Sequence, residues 1–362
     1  MVDVTLVAPP DDGSDGIGTY TGDLIDSYPE TVGTQYVTVP VGDRNPLPYL
    51  SAALRAGRGD TDVIHVQHEY AIFGPNSIYS WPFLLLVVLL GRLRGIEVVL
   101  TLHSAWNAET VRGESLEPLK RLYVWANNRM LVAVASTLVF LSENCREAFR
   151  ESVACENYEG FRHGVKTDAV HDIDPDEAKE TFGYDPDEFL IVEPGYVREQ
   201  KGVHRFVDAA EQCPDLTFLV AGGPQDEASE TYASDLRDRA PSNVQFTGRL
   251  GEERFHAAFV AADVVFLPYL RMTQSGIFNW CMAYGTPVAA SDHDYFERLA
   301  ERWGCVELFD PDDVNDIVDT LQHLVTSDER RDELTRRAKA FADEHSFTAM
   351  GDRHAALYRR LA

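Results

Sequence analysis

Lysine is nearly missing from this chain. Among 362 residues there are five, at positions 120, 166, 179, 201 and 339, and the formal net charge is −27. The 59 Asp and Glu residues outnumber the 32 Lys and Arg and are spread along the chain. No basic face is left for a phosphate backbone, which excludes nucleic acid as a partner. The five cysteines, at 145, 155, 213, 281 and 305, contain no CxxC pair. That spacing excludes a zinc finger and a disulfide framework, and it suits reduced, buried thiols in a cytoplasmic protein. The opening MVDVTLVAPP has no basic start and reads as a strand, so no secretory signal is expected. No apolar run reaches the roughly 20 residues that a spanning helix needs. The longest, WPFLLLVVLLG at 81–91, stops before Arg92 and Arg94. It predicts a buried helix with Pro82 in its first turn, a membrane-surface helix being the alternative. Low-complexity tracts and short repeats are also lacking, which excludes disordered arms and solenoids.

What the chain does have is alternation. Short β-branched runs and helix-length amphipathic segments follow each other from end to end, the pattern of parallel sheets wrapped by helices. Strands are expected near 2–8, 35–39, 62–67, 97–102 and 137–141, then near 189–193, 216–221, 243–247, 263–267, 287–290 and 305–308. Helices are expected near 17–28, 47–57, 76–94, 116–135 and 142–152, then near 175–182, 202–212, 226–240, 252–261, 275–284, 312–325 and 328–344. Val203, Phe206, Val207 and Ala210 fall on one helical stripe. The fold class is α/β: two doubly wound Rossmann-like domains, 1–166 and 167–346, facing a central cleft. A last helix within 347–362 is expected to pack back on the first domain.

In open α/β sheets, ligands bind beyond the carboxyl ends of the strands, so the strand-end loops are where chemistry is expected. DDGSDGIGTYTGDL (11–24) places Gly13, Gly16 and Gly18 before a helix N-terminus, which suits an anion or a plain glycine turn. A nicotinamide fingerprint is excluded, since Thr21 stands where the third glycine belongs and the second strand ends without an acid. EPGYVREQKGVHRF (193–206) sets Arg198 and Lys201 between Gly195 and Gly202, directly after a strand. Two cations and free helix N–H groups converging there suit a diphosphate, the plain alternative being a solvated loop. In YLRMTQSGIFNWCMAYGTPVAAS (269–291), Thr273, Gln274 and Ser275 can cap the next helix and offer N–H groups to a phosphate. Thr273 and Ile277 replace the glycines of a hydrolase elbow, so Ser275 is no serine nucleophile. His65, His68 and Glu69 have metal-like composition. Strand alternation aims 65 and 68 apart, so His65 is expected to be structural and no metal site is expected. His103 and Glu69, just past their strands, are the candidates to face the cleft.

Nine stretches in order, DGIGTY, DVIHVQHEYAIFG, VVLTLHS, RHGV, GYVREQKGVHRFVDAA, LVAGGP, VQFTGRL, ADVVFLPY and AYGTPVAAS, resemble glycosyltransferase family 4 over nearly the whole chain. The family consists of retaining enzymes of the GT-B architecture. The dispersed acidity is similar to that of salt-adapted, haloarchaeal-type proteins. The family resemblance implies transfer of a sugar, of the hexosyl type, from a nucleotide diphosphate donor to a glycan or lipid-linked acceptor. It implies that Arg198 and Lys201 hold the donor diphosphate without a metal or any cofactor, and that His103 lies near the donor sugar. Gly16, Gly18, Gly195, Gln274, Ser275 and Gly276 belong to the donor side, and Glu69 to the acceptor side. The implied setting is cytoplasmic, with peripheral membrane contact.

One departure matters. The family commonly carries two glutamates eight apart before its GTP turn. Counting back from Gly285, Thr286 and Pro287 puts Met272 and Trp280 in their places. The TQSG form of this loop resembles one branch that lacks the first glutamate. A catalytically silent GT-B protein acting as a binding partner or scaffold is therefore the alternative, and a GT-B epimerase or phosphorylase is a third reading.

Overall fold

The computed structural model describes residues 1–362 apart from Ser14, Arg271, Thr273 and Gln274, and apart from the side chain of Ala228. The chain divides into two compact units, Met1–Gly164 with Phe347–Ala362, and Val165–Ser346. In the first unit the strands are β1 (Val2–Ala8), β2 (Val32–Thr38), β3 (Val63–His68), β4 (Glu97–Leu102), β5 (Thr137–Phe140) and β6 (Tyr158–Gly160). Its helices are α1 (Gly16–Asp26), α2 (Leu47–Ala56), α3 (Ser80–Arg94), α4 (Glu117–Val134) and α5 (Glu143–Ser152). The second unit holds helices α6 (Pro175–Thr181), α7 (Val203–Gln212), α8 (Glu227–Arg239), α9 (Glu252–Ala261), α10 (Gly276–Tyr284), α11 (Asp294–Trp303), α12 (Val314–Thr326) and α13 (Asp328–Glu344). Its strands are β7 (Leu190–Pro194), β8 (Thr217–Ala221), β9 (Val244–Phe246), β10 (Val264–Leu267), β11 (Val288–Ser291) and β12 (Glu307–Phe309). The last helix, α14 (Phe347–Leu361), packs on α1 and β1 in the first unit.

Both sheets are parallel, with strand orders β2-β1-β3-β4-β5-β6 and β12-β11-β10-β7-β8-β9. Parallel strands with helices on both faces must be apolar on both sides, and β3 and β7 are buried at every residue. In each sheet the chain reverses its direction of growth at one place, between β1 and β3 in the first and between β7 and β10 in the second. Ligand crevices of doubly wound sheets open at such switch points. They place the loops after β1, β3, β7 and β10 where a site is expected.

Three features differ from the expectations. Strand β6 and helix α11 were not anticipated. β6 is an edge strand of three residues, too short to show alternation, and α11 buries only Tyr295, Phe296 and Leu299, a single turn of apolar spacing. Helix α3 is not buried all round. Phe83, Leu84, Val87 and Val88 face the core, whereas Leu85, Leu89 and Leu93 are 54 to 75% exposed. In a run where every position is apolar, no polar stripe marks the outer face.

Candidate functional site

The loops after β7 and β10 enclose a cavity of about 830 Å³ in the second unit. β7 ends at Pro194. Gly195 follows with φ +113°, and a short 3-10 turn, Glu199–Lys201, carries the chain into α7. Arg198 and Lys201 both line the cavity. So do Gly195, Ser275 and Gly276 from the anticipated set, while Gln274 lies outside the described residues. Ser275 caps α10, its hydroxyl accepting the Phe278 N–H at 3.1 Å. Gly276 and Ile277 of the first turn of α10 also face the cavity. First-turn N–H groups have no intrahelical acceptor and carry the positive end of the helix dipole, so an anion is favoured here.

The lysine is held with care. Its ammonium donates to the Tyr269 hydroxyl and sits 3.9 Å from the centroid of that ring. Beneath it lies Glu193, completely buried, with neither carboxylate oxygen hydrogen-bonded. Burial pushes the Glu193 carboxyl up, partly countered by Lys201. Burial pulls the Lys201 ammonium down, partly countered by Glu193. Each group thus supports the charged form of the other. Elsewhere lysines serve structure: Lys179 bonds Asp263 at 2.9 Å, and Lys120 pairs with Glu114. Lys201 and Arg198 form no ion pair among the described residues, and Arg198 donates instead to the Gln225 amide oxygen at 2.8 Å. A third cation, Arg249, was missed from the sequence. It lines the same cavity, donating to the Pro224 carbonyl at 2.8 Å, and the arginine of VQFTGRL was its signal.

The opposite wall is apolar. Phe255, Met272, Ile277 and Trp280 line it, and Glu252 is the one carboxylate among the described lining residues. Positions 272 and 280, where the family resemblance implied glutamates, therefore do face the cavity, but with a thioether and an indole.

In the first unit, β3 and β4 end side by side and bring His103 and Glu69 together. The His103 N–H bonds the His68 carbonyl at 3.1 Å, and its Nε2 lies 2.9 Å from the Gln67 amide oxygen. The edge of Tyr20, from α1, meets the same ring at 5.2 Å. Burial, then the neighbouring His163 and His68, hold His103 down to about 3, so the ring is neutral. Glu69 accepts from the Ser104 hydroxyl at 2.8 Å, and its carboxyl is raised, chiefly by burial. His65 is a bonded core residue, with its ring nitrogens 2.6 Å from the Tyr358 hydroxyl and 2.7 Å from the Thr101 hydroxyl.

The α1 loop behaves differently from its expected role. The Asp15 carboxylate accepts the Ile17 and Gly18 N–H groups at 2.8 and 3.3 Å. The amides expected to face a phosphate are thus already satisfied by a carboxylate. Gly18 has a packing reason, since a Cβ there would stand 2.1 Å from the Pro10 carbonyl oxygen. Gly16 has open space around it.

Comparison with known proteins divides the chain at the same place. Residues 1–157 match the glycosyl transferase 4-like domain, and residues 174–341 match the glycosyl transferases group 1 family. A D-inositol 3-phosphate glycosyltransferase from a Mycobacterium species is 28% identical over 257 residues, covering 68% of this chain and 56% of that protein. An alpha-galactosylglucosyldiacylglycerol synthase from Streptococcus pneumoniae is 28% identical over 125 residues, 33% of each chain. The chain thus matches between a third and just over half the length of these relatives. Among solved structures, Anabaena HepE in complex with UDP superposes with a TM-score of 0.77 at 15% identity, over 99% of this chain and 100% of that one. Sucrose-phosphate synthase from Thermosynechococcus elongatus gives 0.72 at 17%, over 100% and 99%. At such identities these likenesses show the fold, two Rossmann-like α/β domains of the GT-B architecture. One glycosyl transferase domain model thus matches each unit, and the fold is that of the GT-B structures matched end to end.

Proposed function

We propose that this protein is a retaining glycosyltransferase that moves a hexosyl group from a nucleotide diphosphate donor to a lipid-linked acceptor. One observation carries the donor half: Arg198, which forms no ion pair among the described residues, and Lys201, supported by the buried Glu193, line a cavity at the β7/β10 switch point beside the N-terminus of α10. As the sugar–phosphate bond breaks, negative charge grows on the diphosphate. Fixed cations that interact more strongly with that charge than with the ground state lower the barrier. The apolar wall of Phe255 and Trp280 suits the flat face of a nucleobase. Retention and the place of His103 near the donor sugar follow the family resemblance. In this reading the neutral imidazole donates or accepts a hydrogen bond at the sugar and carries no charge. No metal is needed for the diphosphate chemistry.

The acceptor half rests on the first unit. Leu85, Leu89 and Leu93 of α3 follow one another at helical spacing, as do Leu119, Leu122 and Trp125 of α4, and all six are 49 to 75% exposed. The two helices pack together, and each carries a row of exposed apolar side chains that water alone does not favour. Among the described residues no helix is long and apolar enough to cross a membrane. Contact at a bilayer surface is the arrangement that suits a lipid-linked acceptor. The Streptococcus pneumoniae relative is itself named for a diacylglycerol product.

The presence of Met272 and Trp280 on the cavity wall favours the second reading, a silent scaffold. Thermal melts with UDP or GDP in molar KCl, with and without magnesium, separate the two. At a hundredfold excess over Kd, a bound nucleotide stabilises by about 2.7 kcal/mol. The transferase reading expects this with one of the two nucleotides, and expects Lys201→Ala to abolish it. Indifference of the wild type to both nucleotides would establish the scaffold, and nucleotide release from a donor without acceptor would indicate hydrolase or epimerase chemistry.

A further inference from the structure

Beside the cavity, three side chains that the donor reading leaves unused come together. We propose that His171, Glu252 and His256 form a binding site for a divalent late first-row transition ion, zinc being the expected occupant. Glu252 and His256 are one turn apart at the start of α9 and so share a face. His171 reaches them from the irregular stretch before α6, about 80 residues away in sequence. One ligand atom from each lies within 4.8 Å of the other two. The two imidazoles are stacked, with centroids 3.9 Å apart and planes 14° from parallel.

The surroundings are those of a supported site. His256 is buried, and its Nδ1 lies 2.7 Å from the Tyr284 hydroxyl. The same hydroxyl accepts the backbone N–H of His171 at 2.9 Å. A tyrosine oxygen has two lone pairs, so it can take the Nδ1–H of His256 as well. That tautomer leaves Nε2 unprotonated, which is how an outer partner prepares an imidazole to ligate. Glu252 has no ion pair among the described residues, so its charge is left for a dication. Two nitrogens and one oxygen favour zinc or its neighbours over magnesium, which takes oxygen ligands. With Zn–N distances near 2.05 Å, ligand atoms of a tetrahedral site lie about 3.3 Å apart. Closing from the observed spacing takes rotation of one ring out of the stack, and His171, outside regular structure, is the one free to turn. Three protein ligands leave the fourth position to water or to a ligand oxygen. Because Glu252 lines the donor cavity and the Trp280 edge meets His256 at 4.9 Å, an ion here would stiffen the nucleobase wall. The sequence alone gave no expectation of a metal site or a structural metal, and the site of His171, Glu252 and His256 departs from that reading.

The test is cobalt uptake. Protein stripped with EDTA, held in metal-free molar KCl, is titrated with Co²⁺ and followed by visible absorption, then challenged with Zn²⁺. The expected result is saturation at one equivalent, displacement of cobalt by zinc, and affinity lowered tenfold or more in both His171→Ala and Glu252→Gln. Both variants should melt at the temperature of the metal-free wild type, which shows that their folds are intact. Absence of saturable one-equivalent uptake overturns the site. Equal affinity of the wild type and the His171→Ala/Glu252→Gln double variant also overturns it, the cobalt then sitting on surface carboxylates. Metal uptake is read without nucleotide, so failure of the donor reading leaves this result untouched.

Discussion

Glu193 and Lys201 are eight residues apart in sequence, and one lies beneath the other in the structure. The lysine stood out in the sequence because lysine is so rare here and because glycines flank its loop. The role of the glutamate did not. It closes the expected strand 189–193, where nothing in the sequence singles it out, and only burial at the end of β7 makes its charge matter. The pair predicts a pH effect with a definite sign. The ammonium of Lys201 is held below the usual lysine range by burial and is supported by Glu193. Nucleotide affinity should be complete while Lys201 is protonated and should fall as pH rises through its depressed pKa. Glu193→Gln removes the support, so the fall should begin at lower pH than in the wild type. UDP or GDP affinity measured from pH 6 to 10 checks this, and an unchanged midpoint would show that Glu193 does not act through Lys201.

Elements carry the loops to their places through close contacts that sequence patterns show only in part. Gly202 ends the 3-10 turn at φ +67° and starts α7, and a Cβ there would stand 1.8 Å from the Pro268 carbonyl oxygen just after β10. The contact holds Lys201 against Tyr269. Gly202→Ala should cost about 1–2 kcal/mol for the left-handed backbone and about 1–3 kcal/mol for the overlap. Urea unfolding measures the sum, and a loss below about 1 kcal/mol would mean that the loop relaxes away from β10. Helix α3 illustrates the opposite case, in which the element is legible and its faces are not. Leu85→Ser, Leu89→Ser and Leu93→Ser together remove the exposed apolar row of α3 while leaving Phe83, Leu84, Val87 and Val88 in the core. In flotation with phosphatidylglycerol vesicles in molar KCl, where repulsion from the acidic chain is screened, the triple variant should bind at least fivefold less than wild type. Equal flotation would detach α3 from the acceptor reading.

Across the whole molecule, histidines buried as neutral groups make stability depend on acid. His68 is held down to about 3 and His354 to about 4, both mainly by burial, and His65 is well below its ordinary range for the same reason. In the unfolded chain each titrates near 6.5. Below that pH the unfolded state binds more protons than the native one, so stability falls as pH falls toward the depressed folded values. Each such histidine costs about 2 kcal/mol of stability at pH 5. Denaturant unfolding at pH 7 and pH 5 in molar KCl should show a loss of several kcal/mol. A flat profile would mean that these rings become charged in the native state.

Most of the architecture was legible because periodicity is local. β-branched runs of four to seven residues and helical stripes announce themselves over one short window, and their alternation implies parallel sheets. The same applies to Arg198, Lys201 and Ser275, which sit at strand ends next to glycines or a helix start. By itself the sequence determined two successive doubly wound units and the strand-end loops where ligands are expected. Only the tertiary structure decided that Asp15 fills the α1 N-terminus, that three leucines of α3 look outward, that Glu193 lies under Lys201, and that His171 stacks on His256. The physical reason is that burial and long-range pairing are sums over residues brought together from distant positions, and no window along the chain contains them.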